Sequence, residues 1–228
     1  MDNKSSSDSQ MKALLAAQGY VFLTNLPADF DHLDLLSRFG TLVPQYDGRT
    51  VWSIKADARF DDLYHSLNTK ELYPHTECYE MPGLPPRFLA LWCISPAACG
   101  GGSTTLADGY AFVTSLTKAE RLVLKKEFPF VSSAGIQASA LGKTATHPVY
   151  DESGPSPIFR FSFNCMSYHH DPVMVGIAKK CVAFFNTTCR SFEWHKNDLL
   201  LWDNYRMLHS RTGFEDRSRE LKRVWLSY

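Results

Sequence analysis

Two fragments far apart in the chain constrain its fold most: His75-Thr76-Glu77, directly after Pro74, and a lone His209 followed by Arg223. On an extended strand residues i and i+2 project to one side, so His75 and Glu77 reach a single ion while Thr76 points away. The spacing fits a strand end and not a helix. Two imidazoles and one carboxylate hold a transition metal by one face and leave the opposite face open, the donor set of non-haem iron(II) oxygenases. A fold that uses these groups together must bring a late strand back beside an early one. Arg223 adds a cation that needs a partner if buried, which points to a co-substrate carrying a carboxylate.

The rest of the sequence narrows the fold class. At 228 residues the chain is long enough for one well-filled core. Residues 1–10 are rich in Ser and Asp and read as a disordered leader, leaving 11–228 as a single domain. Helical spacing of Met11, Leu14 and Leu15 predicts a helix over Gln10 to Gln18, followed by a strand over Gly19 to Asn25. A short helix is expected over Asp31 to Phe39, closed by Gly40. Strands are expected around Thr50 to Lys55, Arg87 to Ile94, Ile158 to Phe163, Leu199 to Trp202 and Arg223 to Tyr228. Two further helices are predicted: Gly109 to Lys126, broken at Leu116-Thr117-Lys118, and Val173 to Thr187. Ser132 to Pro157, with its glycines, serines and prolines, reads as a loop or lid. Many strands with long irregular connections argue for a β-rich α+β fold, a double-stranded β-helix (jelly-roll) core with flanking helices.

Charge and cysteines narrow the partners. Lys and Arg together number 24, as do Asp and Glu, so nothing favours nucleic acid or an anionic membrane, and a small molecule is the expected partner. The longest apolar run, Phe88 to Cys99, is too short to span a bilayer. Six cysteines without a C-x-x-C pair read as reduced thiols, which points to the cytoplasm.

Other polar residues divide into candidates and decoys. Arg219, Leu221 and Arg223 alternate on one strand face, which would look into a barrel. Arg160, in an aromatic alternating segment, either faces the cavity and binds a substrate carboxylate or is solvated. Gly100-Gly101-Gly102-Ser103-Thr104-Thr105 turns tightly and offers hydroxyls to a carboxylate, and it is no P-loop because no Gly-Lys-Ser/Thr follows. His169-His170-Asp171 resembles a metal site, but neighbours on a strand face opposite ways, so a substrate contact or loop role is expected. His32, His65, His147 and His195 are read as structural, and Trp92, Trp202 and Trp225 as core. Asp108 is expected to cap the helix that starts at Gly109.

In these blocks the chain resembles the taurine dioxygenase/TfdA family of iron(II)- and 2-oxoglutarate-dependent oxygenases, in the clavaminate-synthase-like branch that has Glu in place of Asp in the first motif. The matching blocks are Gly19-Tyr20-Val21-Phe22, Pro74-His75-Thr76-Glu77, Gly101 through Gly109, and Trp202-Asp203-Asn204 through His209 to Arg223, together spanning most of the chain. The resemblance implies that His75, Glu77 and His209 ligate Fe(II), that Arg223 pairs with the distal carboxylate of 2-oxoglutarate, and that Thr104 hydrogen-bonds the same co-substrate. Arg219 falls where taurine-cleaving members keep an arginine near the substrate's anionic group, with a second co-substrate contact or a surface pair as equal alternatives. Glu77 fills the place that halogenating relatives leave to chloride, so halogenation is not expected. The implied reaction uses O2 to oxidise an aliphatic C–H bond of a small polar substrate, an amino acid or a natural-product intermediate, either free or tethered to a carrier protein. Hydroxylation is the first expectation, and desaturation, cyclisation or oxidative rearrangement at the same site is the alternative. A cupin-like protein that binds metal or ligand without turnover is the third reading, against which Arg223 and Thr104 weigh.

Overall fold

Helix α1 (Asp2–Gln18) leads into strand β1 (Tyr20–Leu23), helix α2 (His32–Ser37), strands β2 (Thr41–Val43) and β3 (Val51–Lys55) and strand β4 (Leu72–His75). Next come β5 (Phe88–Ser95), β6 (Thr104–Asp108), α3 (Gly109–Ser115), α4 (Lys118–Leu124), β7 (Glu127–Val131), β8 (Thr144–Pro148), β9 (Tyr150–Asp151) and β10 (Ile158–Phe159). Helices α5 (Phe163–Met166) and α6 (Pro172–Thr188) then precede β11 (Arg190–Phe192), β12 (Leu199–Asp203), β13 (Met207–Arg211) and β14 (Glu220–Ser227). The computed structural model describes residues 2–133, 137 and 142–228.

Local chemistry sets several boundaries. Thr117 separates α3 from α4 through a capping box: its hydroxyl accepts from the Glu120 N–H while the Glu120 carboxylate accepts from the Thr117 N–H. Asp108 caps α3, accepting from the N–H groups of Tyr110 and Ala111. Three expectations need revision. Helix α1 begins at Asp2, upstream of Gln10. The strand expected over Ile158 to Phe163 stops at Phe159, where pairing with β9 ends, and the chain turns into α5 with Ser162 as its cap. The loose region Ser132 to Pro157 contains β8, which pairs with β7, and β9. Its residues 134–136 and 138–141 lie outside the described residues.

All strand pairs are antiparallel. The larger sheet runs β1-β12-β5-β14-β2, with β3 also on β14, and the smaller one β11-β6-β13-β4. Alternation along the strands sorts their side chains. Leu89, Leu91, Leu200, Trp202, Leu221 and Trp225 of the larger sheet meet Leu106, Met207 and Phe192 of the smaller one in a shared core. The alternate residues Ala90, Leu199, Leu201, Val224 and Leu226 pack outward against Met11 and Leu15 of α1 and Leu35 and Leu36 of α2. Ala107 and Leu208, on the back of the smaller sheet, pack against α3, α4 and α6. The protein is therefore mostly β, with helices on both outer faces. Trp202 and Trp225 are each 1% exposed, and burying 150–250 Å² per indole contributes roughly 4–6 kcal/mol before entropy is charged.

Candidate metal centre

The site forms where β4, β6 and β13 lie side by side. His209 on β13 is in register with His75 on β4 on one side and with Leu106 on β6 on the other. Immediately after β4, the Thr76 N–H donates to the Phe161 carbonyl and its hydroxyl accepts from the Phe161 N–H, turning Thr76 away from Glu77. Glu77 is fixed by Asn204, whose Oδ1 accepts from the Glu77 N–H at 2.8 Å and whose Nδ2 donates to the Glu77 carbonyl at 3.0 Å. Asn204 sits in the tight connection between β12 and β13, so one side chain couples the two halves of the donor set.

One donor atom each from His75, Glu77 and His209 lies within 4.8 Å of the others. His75 Nδ1–H donates to the Tyr73 carbonyl at 2.7 Å, which leaves Nε2 with its lone pair facing the cluster, as a metal-binding imidazole requires. Burial, with His209 as a second cause, depresses His75 to about 3, so the ring is neutral at pH 7. Burial would push the Glu77 carboxyl up, but Arg223 and the two imidazoles overcome it and hold the group at about 2. Neutral imidazoles and an ionised carboxylate are the protonation states a divalent cation selects. Arg223 serves this state directly: Nη1 is 2.8 Å from Glu77 Oε1, and Nε donates to Gln45 Oε1 at 2.8 Å. These residues fit a 2-His-1-carboxylate iron centre.

Two cavities share the cluster. The inner one is lined by His75, Glu77 and His209 together with Thr104, Arg211, Arg219 and Arg223, over an apolar floor that includes Leu89, Leu91 and Leu221. Thr104 Oγ1 accepts from Trp194 Nε1 at 3.3 Å, so its own hydroxyl hydrogen is free for another acceptor. Arg219 is 1% exposed; its Nη2 donates to the Gly102 carbonyl at 2.5 Å and the guanidinium lies over the Phe214 ring. No carboxylate of the described residues pairs with it, Nη1 is buried without an acceptor, and burial lowers its pKa to about 10. Arg211 is tied to the backbone, donating to the Ser66 and Lys70 carbonyls and to Asn68 Oδ1, while its Nε is buried without an acceptor. The glycine block supports this arrangement: Gly102 has φ +66°, and a Cβ there would lie 2.5 Å from Arg219 Nε.

The outer cavity is lined by His75, Glu77 and Arg223 with Tyr64, His65, Tyr79, Glu80 and Asn164. His65, read from the sequence as structural, also lines this cavity. It is 4% exposed and stacked on Phe60, with Nδ1 accepting from the Leu67 N–H at 3.0 Å, so the ring proton sits on Nε2. Burial, then Arg223 and Arg211, lower it to about 4. Only its position relative to the metal cluster distinguishes it from a core histidine, and no local pattern encodes that.

Arg160 does not join the site. It is 2% exposed, lies 3.5 Å from Asp151 on β9 and lines neither cavity, so it is neither cavity-facing nor solvated. His169 Nδ1 accepts from the Asp171 N–H while Asp171 caps α6, so this trio forms a helix start. The six cysteines are unpaired thiols, and no helix among the described residues is long and apolar enough to cross a membrane.

The chain is 27% identical over 161 residues to 3-((Z)-2-isocyanoethenyl)-1H-indole synthase of Fischerella ambigua (strain UTEX 1903), a match covering 61% of this chain and 57% of that protein. The chain thus spans little more than half the length of this relative. Its fold is similar to that of asparagine oxygenase in complex with Fe(II), 2S,3S-3-hydroxyasparagine and succinate, with TM-score 0.79 and 16% identity over 97% of this chain and 79% of that one. Non-heme iron oxygenase OrfP, in complex with Fe, succinate and (3S)-hydroxy-L-Arg, is similar with TM-score 0.76 and 18% identity over 100% of this chain and 82% of that one. A profile of the family described as taurine catabolism dioxygenase TauD, TfdA family, matches residues 1–225, and the chain belongs to that family.

Proposed function

We propose that the protein is an iron(II)- and 2-oxoglutarate-dependent oxygenase that oxidises an aliphatic C–H bond of a small polar substrate, an amino acid in the first instance. The chain from α1 onward acts as one domain, the segment expected as a disordered leader being the first half of that helix, with the two facing sheets as a double-stranded β-helix. The observation that carries this reading is the inward-facing cluster of His75, Glu77 and His209 beside an arginine-lined inner cavity. When bound, iron with 2-oxoglutarate and O2 supplies the oxidising power for C–H cleavage, and the co-substrate is converted to succinate and carbon dioxide.

The protein's residues orient and shield. His75, Glu77 and His209 hold the metal by one face, and the Tyr73 carbonyl and Asn204 hold the ligands. The sequence resemblance implies that Arg223 clamps the distal carboxylate; the pairing observed here supports Arg219 instead. Arg223 is already engaged with Glu77, whereas Arg219 is a buried cation with an unsatisfied Nη1 in the inner cavity with Thr104. A carboxylate there removes the cost of that unpaired buried donor. The primary substrate then occupies the outer cavity, where His65 Nε2–H and Arg223 line the wall.

Succinate release and product mass test this reading. Iron-loaded protein supplied with 2-oxoglutarate and a panel of amino acids is expected to release succinate with one of them and give a product one oxygen heavier. His75→Ala is expected to abolish stoichiometric iron binding; retention of iron would overturn the ligand assignment. The name of the Fischerella ambigua relative contains an ethenyl group, which favours desaturation as the second reading. Its signature is loss of two hydrogens.

A further inference from the structure

Glu80 lines the outer cavity and is the one carboxyl there, besides the ligand Glu77. It is 3% exposed, yet among the described residues no Lys, Arg or His lies within ion-pair distance of it. Its side-chain partner is a single neutral hydroxyl: Ser132 Oγ, 3.1 Å from Oε1. That hydroxyl has one hydrogen and a second acceptor, the Lys143 carbonyl at 3.2 Å, and the other donor to the carboxyl is the Glu80 backbone N–H, so both of its donors are neutral. A buried carboxyl left without a cation costs several kcal/mol if ionised, and burial together with Glu77 pushes Glu80 up from the ordinary carboxylate range. Across the same cavity the one permanent cation, Arg223, is held by Glu77. Arg223 therefore acts on Glu80 only from a distance, as the smallest of the causes that set its pKa, and no cation of the described residues touches the carboxyl.

We infer that Glu80 receives a protonated nitrogen of the primary substrate, making the ammonium of an amine or amino acid a recognition element. The inference rests on the oxygenase reading of the site and names a substrate class for it. Two residues, Cys78 and Tyr79, separate Glu80 from Glu77, and the turn between them, with Cys78 at φ +59°, sets both carboxyls on the same cavity. An ammonium at Glu80 then lies in the cavity that His75 and Glu77 also line. Its charge lets the carboxyl ionise in a buried position, and a neutral isostere of the substrate gains nothing from that.

The test uses the full-length protein loaded anaerobically with Fe(II) and 2-oxoglutarate, with perturbation of the chelate's visible band as the binding signal. The probes are the proteinogenic L-amino acids and the matching carboxylic acids that lack the amino group. At least one amino acid is expected to perturb the band, with its desamino partner weaker by about tenfold or more, the loss of one charge-assisted contact. Glu80→Gln is expected to erase that difference while the chelate band itself stays unchanged; Ser132→Ala is expected to retain it. Equal binding of the desamino acids, undiminished discrimination in Glu80→Gln, or silence from every amine-bearing probe would overturn the inference. The wild-type comparison stands even if Glu80→Gln does not fold. A missing chelate band in wild-type protein would instead defeat the oxygenase reading.

Discussion

Arg219 and Arg223 are four residues apart near the inward face of β14, and exchanging their roles gives opposite predictions. Arg219→Ala removes a guanidinium that has no carboxylate partner of its own. If that cation clamps 2-oxoglutarate, the loss is one bidentate contact, two charge-assisted hydrogen bonds of roughly 1.5–3 kcal/mol each before the carboxylate's hydration offsets part of it. A net loss of about 2–4 kcal/mol corresponds to roughly 30- to 1,000-fold weaker 2-oxoglutarate binding. Iron affinity is expected to stay within about threefold, since no ligand touches Arg219. Arg223→Ala does the reverse. Glu77 loses the contact at 2.8 Å that opposes its desolvation, its carboxyl rises from about 2, and iron binding weakens, most at acid pH. Anaerobic titration with iron(II), then with 2-oxoglutarate at saturating iron, separates the two constants. Intact iron with lost 2-oxoglutarate in Arg223→Ala, and a neutral Arg219→Ala, would refute this division of labour.

Three further outcomes follow from the geometry. Gly102→Ala sets a Cβ 2.5 Å from Arg219 Nε at a φ of +66°, so it is expected to cost about 1–3 kcal/mol of stability by urea titration and to raise the KM for 2-oxoglutarate; wild-type values for both would show that Arg219 needs no such space. Asn204→Ala strips the Glu77 N–H and carbonyl of their partners and is expected to lower the unfolding free energy read by urea titration by on the order of 1–3 kcal/mol and to weaken iron binding. His65 and His75 are depressed from 6.5 to about 4 and about 3. The unfolded chain therefore binds more protons than the folded one below pH 6.5, and the metal-free protein loses stability as pH falls, on the order of 1–2 kcal/mol per histidine by pH 5. An unchanged urea midpoint between pH 7 and pH 5 would contradict the burial of both rings.

Much of the site was legible because strand parity is local. His75, Thr76 and Glu77 declare their directions through a two-residue period, and the apolar run of β12 with the pattern of β14 marks two central strands before any pairing is known. The capping residues Asp108 and Thr117 are equally local, and both helix starts lie at them. What escaped the sequence depends on pairing at a distance. Whether Arg219 or Arg223 is the free cation is decided by Glu77, which only the fold brings to Arg223. His65 looks like any buried histidine until the loop that carries it is tied by Arg211 beside the metal cluster. Arg160 has the alternation of a cavity-facing residue, yet β9 supplies Asp151 as its partner. Strands β6 and β8 were hidden by Gly-, Ser- and Thr-rich composition, which reads as turn wherever no neighbouring strand is known to complete the ladder.

The central claim is that His75, Glu77 and His209 hold iron in a form that 2-oxoglutarate chelates. The direct measurement is anaerobic addition of Fe(II) and then 2-oxoglutarate to the metal-free protein, following the weak visible metal-to-ligand charge-transfer band. The band is expected to saturate at one iron per chain and to disappear in His209→Ala while the far-UV circular dichroism is unchanged. A folded wild-type protein that gives no band, or a band undiminished in His209→Ala, would contradict it.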